Sequence, residues 1–181
     1  TQITEFLLKQ KVKLLIIACN TMAAVAHQAV KDLSPVPVLD VIEAGAQTAV
    51  AHTRTKSIGV IGTMATINSN AYARAIHALD PSIRIFSQAC PLFVPLVEEG
   101  WWDHEVTRLT ALEYLRPALA EDIDALVLGC THYPLLKALL KDLVGPDIQL
   151  VDSAEAMASI TAELLAGKNL ANPDHAVPDY Q

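Results

Sequence analysis

The sequence predicts an α/β fold whose sheets are mostly parallel and flanked by helices. Short, nearly continuous apolar runs alternate with helical patterns along most of the chain, as strands buried on both faces require. Two of these runs end in the same way. LLIIACNTMA, with Cys19, and ALVLGCTHYP, with Cys130, each pass from a strand-like run through a small residue to cysteine, hydroxyl-bearing residues and a helix. Such a turn delivers a thiol to the carboxyl edge of a sheet, beside backbone N–H groups that favour an anion.

The elements follow in order. ITEFLLKQ reads as a helix, Val12–Ala18 as a buried strand, and Asn20–Leu33 as a helix with Met22, Val25, Ala29 and Leu33 on one face. Pro35 and Pro37 break the pattern, Val38–Ile42 is a short strand and Glu43–His52 is helical. Ser57–Ile61 is a strand ending at Gly62; a long helix, Thr66–Leu79, closes at Asp80-Pro81. Ile83–Ser87 is the next strand, while PLFVPLVEEG (91–100) is ambiguous because two prolines interrupt it. Asp103 can cap a helix carrying Val106, Leu109, Leu112 and Leu119. Ala125–Leu128 is a strand, and Pro134 fits the first turn before a helix over Leu135–Leu143. Ile148–Val151 and Ala154–Leu165 supply one more strand and helix, and the tail beyond Gly167, with Pro173 and Pro178, reads as loop.

Composition narrows the function. The 181 residues suffice for one ordinary domain or two small lobes. A formal charge of −7 argues against nucleic-acid and anionic-membrane partners, which call for clustered Lys and Arg. An anionic small molecule remains compatible, since hydroxyls and helix N-termini bind carboxylates without a basic surface. No apolar run approaches the roughly 18–20 residues of a spanning helix, and no signal peptide is visible. Three widely spaced cysteines without C-x-x-C suit free thiols in a reducing cytosol, hence a cytoplasmic protein.

A cysteine after a buried strand is often inert packing. The polar company of Cys19 (Asn20, Thr21) and Cys130 (Thr131, His132) favours chemistry there, whereas Cys90, followed by Pro91-Leu92-Phe93, reads as structural. His132 admits two readings, a hydrogen-bonded residue near a helix cap or a proton partner of Cys130. Thr63 and Thr66 in GVIGTMAT can donate to an anion or simply cap a helix. Glu98-Glu99 reads as a solvated pair, no Walker-type loop is present, and the other five histidines form no visible metal set. Two thiols suit inversion of an acidic carbon, in which one removes a proton from one face and the other returns a proton to the opposite face. A hydrolase using Cys130 with His132 would need only one nucleophile, and an α/β binding module with two buried thiols would need none.

ACNTMA (18–23), GTMAT (62–66), PLFVPLVEEG (91–100), GCTHYPLL (129–136) and VDSAEA (151–156) together resemble the glutamate racemases of the aspartate/glutamate racemase family, over about Phe6 to Leu165. The resemblance implies a cofactor-independent isomerase acting on glutamate, supplying its D-form for peptidoglycan, and forming a homo-oligomer. Aspartate-specific and hydantoin-specific thiol racemases are the nearest alternatives. It implies two pseudo-symmetric lobes, residues 1–42 with 151–181 and residues 43–150, with the site between them. Cys19 and Cys130 would be the two proton carriers, the first acting on D- and the second on L-glutamate. Asn20, Thr21, Thr131 and His132 would contact substrate, Thr63 and Thr66 would line the other lobe, and Glu98 would tune His132. The family's Asp-Ser-Gly-x-Gly-Gly loop, its Pro-Tyr-Gly segment and its last strand and helix have no counterpart here. The expectation is therefore a racemase trimmed at both ends, impaired or inactive, with an exposed sheet edge prone to association.

Overall fold

The computed structural model describes residues 1–172. In chain order the elements are α1 (Gln2–Lys9), β1 (Leu15–Ile17), α2 (Asn20–Leu33), β2 (Val38–Asp40), α3 (Val41–His52), β3 (Ser57–Gly62), α4 (Met64–Asn68) and α5 (Ala71–Leu79). There follow β4 (Arg84–Ala89), α6 (Phe93–Glu98), α7 (Glu105–Leu119), β5 (Ala125–Gly129), a 3-10 turn (Tyr133–Leu136), α8 (Lys137–Val144), β6 (Gln149–Asp152) and α9 (Ser153–Gly167).

The strands form two parallel sheets, β1-β2 and β4-β3-β5-β6. Every residue of β3 and β5 is buried, which explains why these runs are continuously apolar. Their side chains alternate between two cores. Ile58, Val60, Ala125 and Val127 face α3 and α5, while Ile61, Leu126 and Leu128 face Phe93, Leu115, Leu136 and Leu140. From β3 the chain steps outward to β4, then returns across β3 to β5 and continues outward to β6. The direction of winding therefore reverses between β3 and β5, whose carboxyl ends, Gly62 and Gly129, lie in register. A crevice opens at such a reversal, and ligands of α/β sheets bind there. Strand β6 runs across the expected 150/151 division and pairs with β5. Among the described residues β1 pairs only with β2, and a groove of about 530 Å³ opens along it beside α1 and α2.

Several elements differ from expectation. The helix expected over Thr66–Leu79 is two helices, because Asn70 adopts φ +54° and α5 starts afresh after it. His104, not Asp103, caps α7: its Nδ1 accepts the Val106 N–H at 3.1 Å. PLFVPLVEEG forms the short helix α6, with Pro95 in its first turn, where no intrahelical N–H donor is needed. Pro134 lies in the 3-10 turn, and α8 begins only at Lys137. Two of the helical apolar stripes face outward. Met22, Val25 and Leu33 are exposed while Asn20 and Ala23 are buried. Likewise Val106, Leu109 and Leu112 are exposed, and α7 buries Thr107, Ala111, Leu115 and Ala118. Pro173 and Pro178 of the expected loop tail lie outside the described residues.

Candidate active site

Strand β1 ends two residues before Cys19, which occupies the N-cap position of α2 and is exposed. That position aims the first turn of α2 at the crevice. Thr21 meets two threonines from the other sheet: its Oγ1 lies 2.9 Å from that of Thr63 and 3.3 Å from that of Thr66. Thr63 caps α4 by accepting the Thr66 N–H at 3.2 Å, and the two hydroxyls are 3.1 Å apart. The cap and the cluster are thus the same residues. The cap expected in GTMAT is present, and since capping uses one lone pair, the Thr63 hydroxyl keeps its proton for a further partner.

The second thiol follows β5. Gly129 lies so close to β3 that a Cβ there would stand 2.7 Å from the Ile61 carbonyl oxygen. Cys130 is 6% exposed. Burial raises its pKa above the ordinary thiol value; the His132 N–H works against that, and the negative charge of an ionised Cys19 raises it further. The Tyr133 N–H and the Thr131 hydroxyl also favour its thiolate. A negative charge on Cys19 therefore opposes ionisation of Cys130 as well.

The turn that follows makes the Cys130–His132 contact possible. His132 Nδ1 lies 3.8 Å from Cys130 Sγ and 3.5 Å from Thr131 Oγ1, while its Nε2 lies 3.3 Å from Glu98 Oε1. Glu98, read from sequence as one of a solvated pair, is exposed at the end of α6 yet meets the imidazole. Helix α6 is held in place by Phe93, whose ring packs edge-on against Tyr114 and Tyr133. Cys90 stays outside this chemistry. It is fully buried, burial pushes its pKa up to about 12, and its carbonyl accepts the Tyr133 hydroxyl.

All nine expected residues thus fall into two groups, one around Cys19 and one around Cys130. Sequence reasoning missed two features. Tyr72 is buried and donates to Asn20 Oδ1 at 2.7 Å; its partner lies 52 residues away, so no local pattern could reveal it. His27, Asp40 and Glu43 bring ligand-type atoms within 4.8 Å of one another, although no metal set was visible in the sequence. Asp40 is already committed, because Oδ1 accepts the N–H groups of Ile42 and Glu43 at the start of α3 and Oδ2 pairs with His27. That arrangement accounts for the cluster as a helix cap.

The chain is similar to known proteins over nearly its whole length. A family model described as Asp/Glu/Hydantoin racemase matches residues 2–161. The chain is 76% identical over 180 residues to the glutamate racemase of Syntrophus aciditrophicus, covering 99% of this chain and 67% of that protein. A crystal structure of a Bacillus anthracis glutamate racemase superposes with a TM-score of 0.89 at 40% identity, covering 93% of this chain and 63% of the other. The Francisella tularensis glutamate racemase, solved in complex with D-glutamate, superposes at 0.86, also at 40% identity, with the same coverage. The chain therefore spans about two thirds of the length of these relatives. Matching almost throughout, with parallel sheets that carry both thiol-bearing turns, it belongs to the Asp/Glu/hydantoin racemase family.

Proposed function

We propose that this chain carries the paired-thiol machinery of a cofactor-independent glutamate racemase. The observation that carries the reading is geometric: the turn after Cys19 sets the Thr21 hydroxyl 2.9 Å from that of Thr63, just past the end of β3, whose carboxyl end lies in register with Gly129, the residue before Cys130. Racemisation at Cα needs one thiolate and one thiol at the same time. Burial of Cys130 and the charge of Cys19 both oppose a Cys130 thiolate, so ionising both thiols at once is disfavoured and one of the pair keeps a proton to give. The thiolate then takes the Cα proton from one face, and the opposite thiol returns its own proton to the other. Repeating the cycle in reverse restores the first state.

The transient negative charge spreads from Cα into the substrate carboxylate, and donors placed there lower the barrier. Asn20, Thr21, Thr63, Thr66 and Thr131 are the donors assigned to that task. His132, between Cys130 and Glu98, would move or hold a proton at Cys130 Sγ. In this reading Cys19 acts on D-glutamate and Cys130 on L-glutamate. The Cys19 turn and the Cys130 turn would form the crevice's two walls. A cytoplasmic homo-oligomer supplying D-glutamate for peptidoglycan belongs to the same proposal. Three free thiols suit a reducing compartment, and no helix among the described residues is long and apolar enough to cross a membrane.

The test is optical. The chain is completed to its relatives' length with flanking segments from the 76%-identical protein and incubated separately with L- and D-glutamate and with L- and D-aspartate. Decay of the circular dichroism of glutamate from both sides to zero, with aspartate unchanged, is expected. Turnover of aspartate instead would move the assignment within the family. An acyl-enzyme burst with a glutamine or ester substrate would favour a Cys130 hydrolase.

A further inference from the structure

Asn20 is 1% exposed, and among the described residues its Nδ2 has no hydrogen-bond partner. A buried amide with half its capacity unused needs a reason. Its other half is fully engaged, because Oδ1 accepts the Tyr72 hydroxyl at 2.7 Å. Tyr72 is itself 2% exposed and sits between two residues that lack side chains. A Cβ on Gly45 of α3 would come within 3.0 Å of its Oη, and one on Gly129 at the end of β5 within 3.1 Å of its Cε2. The ring thus fills a slot one of whose walls, Gly129, directly precedes Cys130, and the Tyr72 hydroxyl reaches Asn20, the residue after Cys19.

Proton accounting sets the direction of the network. Burial above all, then the charge of Asp40, raise the Tyr72 pKa beyond any working pH, so its hydroxyl keeps its proton. With Tyr72 donating to Asn20, the amide oxygen is the acceptor and the NH₂ must point elsewhere. An NH₂ group serves only an acceptor. Of the charged groups on glutamate, the ammonium cannot accept and the carboxylates can.

We infer that Tyr72 is a positioning residue: it locks the Asn20 amide with its NH₂ toward a substrate carboxylate oxygen, while its ring, packed against Gly129, ties the turn that bears Cys130 to the residue that follows Cys19. This rests on the racemase reading for the identity of the substrate. The role differs from plain core packing, because the hydroxyl does work that the ring alone cannot.

Two measurements test it. In this chain, with Asn side chains isotopically labelled, the Tyr72 hydroxyl proton exchanges slowly and correlates with the Asn20 carbonyl side. The Asn20 Nδ2 protons shift on adding D-glutamate in the parent and not in Tyr72→Phe. Correlation of the Tyr72 hydroxyl with the Asn20 NH₂ instead would overturn the inference, whether or not the chain turns over glutamate. In the protein completed to its relatives' length, Tyr72→Phe lowers kcat/KM for both enantiomers by about 10-fold or more. Asn20→Ala with Tyr72→Phe then falls no further than Asn20→Ala alone. A Tyr72→Phe enzyme that loses thermal stability yet keeps parental kcat/KM below its midpoint would reduce Tyr72 to packing. Lack of turnover by the parent would count against the racemase reading, while the spectroscopic result would still decide the orientation of Asn20.

Discussion

Cys130 and His132 are two residues apart in the chain, and the 3-10 turn that follows brings the imidazole Nδ1 to 3.8 Å from the thiol sulfur. The other ring nitrogen faces Glu98 at 3.3 Å, so the imidazole is held between an acid and a thiol. His132→Asn should lower kcat/KM by about 10²–10⁴-fold, the range for a group that moves a proton in the transition state. The loss should be deeper starting from L-glutamate, where Cys130 is the base. Glu98→Gln should cost less than about tenfold, because the carboxylate is exposed and acts through His132. Initial rates from each enantiomer check both statements.

The three thiols should separate by reactivity. Cys19 is exposed, Cys130 is buried with a raised pKa, and Cys90 is buried with its pKa pushed up to about 12. Since the thiolate is the reactive species, iodoacetamide should label Cys19 first and Cys130 only as pH rises past the ordinary thiol range. Cys90 should stay unlabelled until the protein unfolds. Peptide mapping by mass spectrometry reads the order directly.

Gly129→Ala should be severe for a single methyl group. The new Cβ would stand 2.7 Å from the Ile61 carbonyl oxygen and 3.1 Å from the Tyr72 ring, and backbone cannot yield as a flexible side chain can. Overpacking of this kind costs about 1–3 kcal/mol. Because Cys130 is the next residue, activity should fall even where folding survives. Denaturant unfolding and turnover, measured together, test both halves.

Stability should fall in acid partly through Asp124. Burial works to raise its pKa, but hydrogen bonds from the Thr53 hydroxyl and the Arg54 and Thr55 N–H groups outweigh it and hold the carboxyl below its usual value. A carboxylate depressed in the folded state stabilises above its unfolded pKa, and that contribution disappears as pH falls through the folded value. The parent should therefore lose more stability than Asp124→Asn between about pH 5 and the low folded pKa. At neutral pH the variant should be weaker by about 1–3 kcal/mol, because charge-assisted bonds are lost. Urea midpoints across pH give both.

What the sequence made legible follows from what is local. The helix Asn20–Leu33 keeps its expected bounds, because Cys19 and Ser34 flank it as extended residues. The apolar runs of β3 and β5 are unmistakable because both faces of their sheet are covered. Periodicity locates an apolar stripe but not whether anything covers it: Met22, Val25 and Leu33 share a face of α2 and are exposed, while α2 buries Asn20 and Ala23. The break at Asn70 was hidden because the helical pattern resumes at once on its far side. At the candidate site, both cysteines and their polar neighbours were visible as motifs. Tyr72 and its two glycine walls were not, since α3, α5 and β5 meet only in the folded chain.

The central claim is that two thiols share one proton-transfer cycle, and deuterium at Cα tests it most directly. In D₂O, the protein completed to its relatives' length is given L- and D-glutamate separately, beside its Cys19→Ser and Cys130→Ser variants. The parent should incorporate solvent deuterium into the product enantiomer, and each variant should lose inversion. Inversion that survives either substitution would contradict the two-thiol account.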